Sequence, residues 1–187
     1  SKQPTTDETP PTRRPERRRT PRKPATVDVL AVLVAHDGAD WLPEALAALA
    51  ASTKAPARVL CVDTGSTDGS AELLRAAYGD VLELPRTTGY GAAVAAALAT
   101  LGPEEHVPAW LWLLHDDAMP APDALYQLLA HVTIDPSIDL TGPKLLLPRR
   151  RHGGQPISEI GVSISGTGRR ELELDADEID QGQRDEP

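Results

Sequence analysis

Asp116 and Asp117 are the pair whose type and spacing carry the most chemistry. They follow the apolar run Trp110-Leu111-Trp112-Leu113-Leu114 and a histidine, His115. Adjacent carboxylates repel each other unless a cation or hydrogen-bond donors hold them. Hard cations such as Mg²⁺ or Mn²⁺ take oxygen ligands and bridge to substrate phosphates, so a metal here would neutralise a diphosphate leaving group. The dipeptide alone reads equally well as an exposed turn with two acids ahead of Pro120. Two further apolar runs also end in polar groups, Ala35-His36-Asp37-Gly38 and Asp63-Thr64-Gly65-Ser66. Single acids in such places also cap helices and start turns. Asp68 is read that way, as a cap or dipole partner in the first turn of a helix.

The elements that must position these groups are legible from apolar patterning. Val27 to Ala35 is a near-continuous apolar run, as expected for a strand buried on both faces. Asp40 can cap a helix with Pro43 at an early position and Leu42, Leu46 and Leu49 along one side. Arg58 to Asp63 is a second strand, and Ser66 or Thr67 opens a helix carrying Leu73, Leu74 and Ala77. Val81 to Leu84 is a short third strand, followed by an Ala-rich helix over Gly89 to Leu101. Trp110 to His115 is a fourth strand, Pro122 to His131 a further helix, and Ile138 to Leu147 holds a fifth strand. Beyond Pro148, Glu159 to Ser165 and Arg170 to Leu174 read as a hairpin around Gly166-Thr167-Gly168. Alternation at this spacing predicts an α/β fold with a mostly parallel sheet and right-handed crossovers. In such sheets ligands bind beyond the carboxyl ends of the strands, which is where all three polar runs fall.

Composition narrows the partners. The chain has 187 residues and a net charge of −9, enough for one domain with a core. Residues 1–26 hold eight Lys/Arg against three Asp/Glu, so the remainder carries −14. An acidic domain argues against nucleic acid, whose phosphates need clustered Lys/Arg. The Pro- and Arg-rich segment 1–26 has almost nothing apolar to bury and is expected to be a disordered tail. Its run Arg13-Arg14-Pro15-Glu16-Arg17-Arg18-Arg19 reads as solvated, with contact to anionic lipid headgroups as the alternative. Residues 27–187 are expected to form the folded domain. The single cysteine, Cys61, excludes an internal disulfide and reads as a plain buried side chain. No apolar run has the length of a membrane span or a secretory leader, so a cytoplasmic domain is expected.

What the sequence lacks argues against several α/β activities. There is no GxxxxGK[ST] loop for a P-loop nucleotidase, no GxGxxG after the first strand for a dinucleotide-binding dehydrogenase, and no GxSxG elbow for a serine hydrolase. Gly89-Tyr90-Gly91 is a weak phosphate signal by itself. A phosphoacceptor domain with Lys144 opposite the acids has its motifs in the wrong order.

The combination resembles family 2 glycosyltransferases of the GT-A type. Val32-Leu33-Val34-Ala35-His36-Asp37-Gly38 is similar to their opening strand, and Cys61-Val62-Asp63-Thr64-Gly65-Ser66-Thr67-Asp68-Gly69-Ser70 to their VDDGSTDGS signature. Leu114-His115-Asp116-Asp117-Ala118 is similar to their DxD-type metal motif, reached after the Gly89-Tyr90-Gly91 helix. The similarity covers roughly residues 28 to 183 and is nearest to large actinobacterial envelope enzymes. It implies a nucleoside-diphosphate sugar donor, Mg²⁺ or Mn²⁺, inverting transfer to a cell-envelope glycan or lipid-linked acceptor, and a place at the cytoplasmic face of the membrane through regions outside this chain. By position it implies that Ala35, His36 and Asp37 line the base and ribose pocket, that Asp63 and Thr64 face the base, and that Gly65 belongs to the nucleotide-sugar site. Asp116 would face the ribose, and Asp117 the metal and diphosphate. Arg86 would approach the diphosphate or remain a surface residue.

Departures from the pattern set up a second reading. Thr64 replaces the second acid of VDDGS, Ala118 replaces a third acid after Asp116-Asp117, and His36 stands where Tyr is frequent, either stacking on the base or packing. Inverting transfer needs a carboxylate near the acceptor hydroxyl, and neither Glu159 nor Asp180 is singled out by its context. The acceptor half is expected to lie beyond this chain. The alternative function is a non-catalytic, glycosyltransferase-like module kept for binding or assembly.

Overall fold

The computed structural model describes residues 27–147, 154–161, 163–164, 167, 170–171, 174 and 178–182; the expected basic tail at 1–26 lies outside them. Its centre is β1 (Val29–Ala35), in which every residue is buried. The run is apolar throughout because both of its faces are covered. Val29, Ala31, Leu33 and Ala35 face one cluster with Leu42, Leu49, Leu74, Trp112 and Leu125. Leu30, Val32 and Val34 face the other with Val62, Ala93 and Ala97.

β1 is followed by α1 (Leu42–Ala50), β2 (Arg58–Asp63), α2 (Ser70–Tyr78), β3 (Val81–Glu83), α3 (Tyr90–Ala99), β4 (Trp110–His115) and α4 (Ala124–Ile134). The strands form one parallel sheet in the order β3-β2-β1-β4. Helices α1, α2 and α4 place Leu42, Leu74 and Leu125 on one face, and α3 places Ala93 and Ala97 on the other. The small alanines let α3 lie close to the sheet. Cys61 is buried and its thiol is pushed up to about 12 by desolvation, which fits an inert core side chain.

Local chemistry moved several boundaries. Asp40 does not cap α1: the cap position is Trp41, without a side-chain bond, and the Gly38 carbonyl accepts from the N–H groups of Trp41 and Leu42. Pro43 does sit in the first turn. Helix α2 opens at Ser70 rather than at Ser66 or Thr67, because residues 64–69 form a loop whose side chains bond elsewhere and Gly69 takes φ 96°. The expected fifth strand over 138–147 shrinks to β5 (Leu145–Leu146), antiparallel to β6 (Ile157–Glu159) and outside the parallel sheet. Gly142 and Pro143 interrupt that run, and proline removes a ladder donor. The hairpin appears as β7 (Ser163–Ile164) against β8 (Arg170–Glu171). Glu159 belongs to the preceding ladder, so the hairpin's first strand starts later than expected. Among the described residues no helix is long and apolar enough to cross a membrane.

Candidate functional site

The sheet order makes β1 a switch point. The chain runs from β1 outward to β2 and β3, then returns to the other side of β1 as β4. A crevice opens beyond the strand ends where the order reverses. The register places Ala35 beside Asp63 and Val34 beside His115. The three polar runs therefore reach one edge, with the ends of β2 and β4 roughly 10 Å apart at ordinary strand spacing.

The loop after β1 is held by an unbroken series of side-chain acceptors. The N–H of His36 donates to Asp116 Oδ2 at 2.8 Å. The next three N–H groups donate to the loop after β2: Asp37 to Ser66 Oγ (2.9 Å), Gly38 to Ser70 Oγ (2.9 Å) and Ala39 to Asp68 Oδ2 (2.8 Å). Thr67 N–H returns a bond to Asp37 Oδ1 at 2.9 Å. Asp68 Oδ1 accepts from the N–H and hydroxyl of Ser70, so it sits two residues ahead of α2 rather than within its first turn. The Ser-Thr-Asp-Gly-Ser stretch thus satisfies backbone donors that would otherwise be orphaned near the core. Gly38 has to be glycine, since a Cβ there would lie 2.2 Å from Asp116 Oδ2.

Arg86, just past β3, closes the same region from the side. Its guanidinium pairs with the Asp37 carboxylate and donates to the Gly65 carbonyl at 3.0 Å. The Arg86 contact, with the Thr67 N–H behind it, holds the Asp37 carboxyl well below the usual carboxylate range. Asp37 itself adopts φ 50°. Gly65 combines φ 73° with an approach that would bring a Cβ to 2.8 Å from Arg86 N, and only glycine allows both.

Between the strand ends and the turn into α3 lies a cleft of about 350 Å³. Val34, Ala35, His36, Thr64, Arg86 and Tyr90 line it, together with Thr87, Thr88, Gly89 and His115. Of the expected binding residues, Ala35, His36, Thr64 and Arg86 therefore share one hollow. Asp37 and Gly65 stand behind Arg86 instead. Asp63 is buried, with Oδ1 accepting from Ser66 N–H and Oδ2 lacking a hydrogen-bond partner among the described residues. Thr87, Thr88, Tyr90 and His115 complete the wall and were not among the expected ligands. Tyr90 stacks on His115 with ring centroids 5.6 Å apart and donates to the Leu114 carbonyl at 3.1 Å. No periodicity links positions 90 and 115, since α3 returns to this edge only through the fold. A second, smaller hollow of about 230 Å³ opens at the opposite end of the strands, beside Asp28, Arg58 and His106.

The neighbouring acids part company. Asp116 is 4% exposed, with Oδ2 under the His36 N–H and Oδ1 2.7 Å from His115 Nδ1. The Asp117 side chain is 63% exposed, and its Oδ1 lies 3.1 Å from the same nitrogen. One ligand atom each from His115, Asp116 and Asp117 lies within 4.8 Å of the others. The two carboxylate oxygens are the part of this group that suits a divalent ion of the Mg²⁺/Mn²⁺ type, whereas His115 Nδ1 lies within hydrogen-bond distance of both acids. Lys144 does not oppose these acids. It pairs with Asp180 at 2.8 Å and holds that carboxyl below its usual range, which also engages one of the two acids considered as a base.

The family model for glycosyl transferase family 2 matches residues 31–143, which embraces every residue of this edge. Two curated relatives are similar, both named N-acetylglucosaminyl-diphospho-decaprenol L-rhamnosyltransferase, from Mycobacterium tuberculosis strains CDC 1551 and H37Rv. Each is 32% identical over 130 residues, or 65% of this chain and 42% of the relative. The chain thus spans about two-fifths of their length. Among solved structures, TarS 1–349 of S. aureus in complex with UDP-GlcNAc aligns with a TM-score of 0.43 at 20% identity, over 57% of this chain and 31% of that one. A second structure of S. aureus TarS gives 0.42 at 17% identity, over 57% and 20%.

Proposed function

The chain belongs to glycosyl transferase family 2, and from that premise we propose that residues 27–187 form the donor-binding part of a glycosyltransferase. The donor is a nucleoside-diphosphate sugar and the acceptor a cell-envelope glycan or a lipid-linked glycan. The relatives' printed activity, rhamnosyl transfer to a diphospho-decaprenol-linked N-acetylglucosamine, supports that acceptor class. Transfer is read as inverting, at the cytoplasmic face of the membrane, with attachment through regions outside this chain.

The observation that carries this reading is the cleft at the switch point, with polar side chains on its walls and an acid pair beside it. His36 and Thr64, joined through the His36 ring nitrogen, are assigned to the base together with Ala35. Gly89 and Tyr90 begin α3, whose first N–H groups suit an anionic phosphate, and Arg86 adds a positive charge at the same wall. Asp116, with Asp37, Asp63 and Gly65, keeps the loop behind the ribose side in place. Asp117, with Asp116 Oδ1 beside it, would hold the divalent ion, which when bound neutralises the leaving diphosphate.

Calorimetric titration with UDP and dTDP, with and without Mn²⁺, tests this. The expected result is binding that strengthens with Mn²⁺ in the native chain and loses that enhancement in Asp117→Ala. Binding that ignores Mn²⁺ in both proteins removes the metal assignment, and failure to bind any nucleoside diphosphate removes the donor site. Turnover of a sugar nucleotide by the full-length protein separates an enzyme from a non-catalytic module.

A further inference from the structure

No carboxylate lines the cleft. Where the family signature places a second acid, this chain has Thr64, and neither Asp37, Asp63, Asp116 nor Asp117 lines the hollow. Among the side chains lining it, His36 offers a ring nitrogen with no hydrogen bond among the described residues. Its Nδ1 lies 3.0 Å from the Thr64 carbonyl and 2.9 Å from Thr64 Oγ1. A carbonyl oxygen only accepts, so Nδ1 must be the donor. The hydroxyl agrees with this direction: Thr64 Oγ1 gives its own proton to the Ala35 carbonyl at 3.1 Å, leaving its lone pairs for the imidazole N–H. The neutral ring therefore carries its proton on Nδ1. Nε2, which makes no hydrogen bond among the described residues, is left as a lone-pair acceptor. The Thr64 N–H, one residue past β2, donates to Ala35 O at 3.0 Å, which ties this residue to the end of β1.

We infer that His36 Nε2 is the specificity-determining atom for the nucleobase, selecting bases with an N–H at the centre of their pairing edge. Uracil and thymine carry that proton on N3 and guanine carries it on N1. Cytosine and adenine place a lone pair at the corresponding position, which would face the lone pair of Nε2. The inference rests on the donor-site reading above. It also assigns Thr64 a positive role: it orients the imidazole that takes over the acceptor function of the missing acid.

The test is a calorimetric panel of UDP, CDP, GDP and ADP at pH 8 with Mn²⁺, on the native chain and on His36→Phe and His36→Asn. Phenylalanine keeps a flat ring without a nitrogen, whereas asparagine keeps an N–H for the Thr64 carbonyl, and its acceptor Oδ1 falls at the imidazole Cδ2 position, short of Nε2. The readout is the ratio of the CDP and UDP dissociation constants, which a general loosening of the site would not move. The native ratio is expected to be about ten or more, the equivalent of one net hydrogen bond, with GDP likewise preferred to ADP. Both variants should bring the ratio to about one. A native ratio near one, ADP binding more tightly than GDP, or a preference for UDP that survives in both variants would each overturn the inference while leaving the donor site standing. Binding of none of the four would instead overturn the donor site itself.

Discussion

The loops after β1 and β2 are laced together by side chains, whereas the segment after β4 meets them through one carboxylate and sends the next to solvent. In the first region Ser66, Asp68 and Ser70 each take an N–H from residues 37–39. In the second, Asp116 takes the His36 N–H and Asp117 takes none of these donors. The difference teaches that residues of similar type at one sheet edge divide into those that build the site and those left to meet a ligand. A signature rich in Ser, Thr and Asp reads as ligand chemistry, yet most of its polar atoms here close the backbone's own hydrogen-bond account.

The comparison breaks most severely at Gly38. Gly38→Ala drives a methyl into the Asp116 carboxylate and should cost about 3 kcal/mol of unfolding free energy in urea denaturation. A loss under about 1 kcal/mol would mean that the Asp116 side chain yields easily. Next come the two acids themselves. Asp116→Ala orphans the His36 N–H and should cost about 2 kcal/mol. Asp117→Ala should stay within about 0.5 kcal/mol of the native protein. Equal losses would erase the division between them. Ser70→Ala, which strips the Gly38 N–H of its acceptor, should cost about 1.5 kcal/mol, and Ser70→Thr should recover part of it.

The smallest effect is electrostatic. The folded Asp37 carboxyl titrates below its unfolded counterpart because of Arg86. Its contribution is therefore complete above the ordinary carboxylate range, near pH 4, and is lost as pH falls toward the folded value. Asp37→Asn should flatten the fall in melting temperature between about pH 5 and pH 3. A steeper fall in that variant would have the sign wrong.

Much of this edge was legible in the sequence. The four parallel strands, the position of Pro43 in α1 and the burial of Cys61 follow from apolar runs and local rules. The convergence of Ala35, Asp63 and Asp116 at one edge follows from the strand-end rule. What stayed hidden depends on pairings between distant residues. Arg86 finds Asp37 and Gly65, Tyr90 finds His115, and Asp116 finds Gly38, and none of these has a spacing signature. Asp40 and Asp68 show the same limit from the other side: Asp40 lies near a helix start without capping it, and Asp68 divides its oxygens between the local Ser70 and the distant Ala39 N–H.

The central claim is that a nucleoside diphosphate binds at the switch-point cleft. Amide chemical-shift mapping of ¹⁵N-labelled protein during titration with UDP and Mg²⁺ tests it most directly. The account predicts shifts concentrated at His36, Thr64, Arg86, Gly89 and Tyr90, with Asp28, Arg58 and His106 at the far end of the sheet unmoved. Shifts centred on that far hollow, or none at saturating UDP, would contradict it.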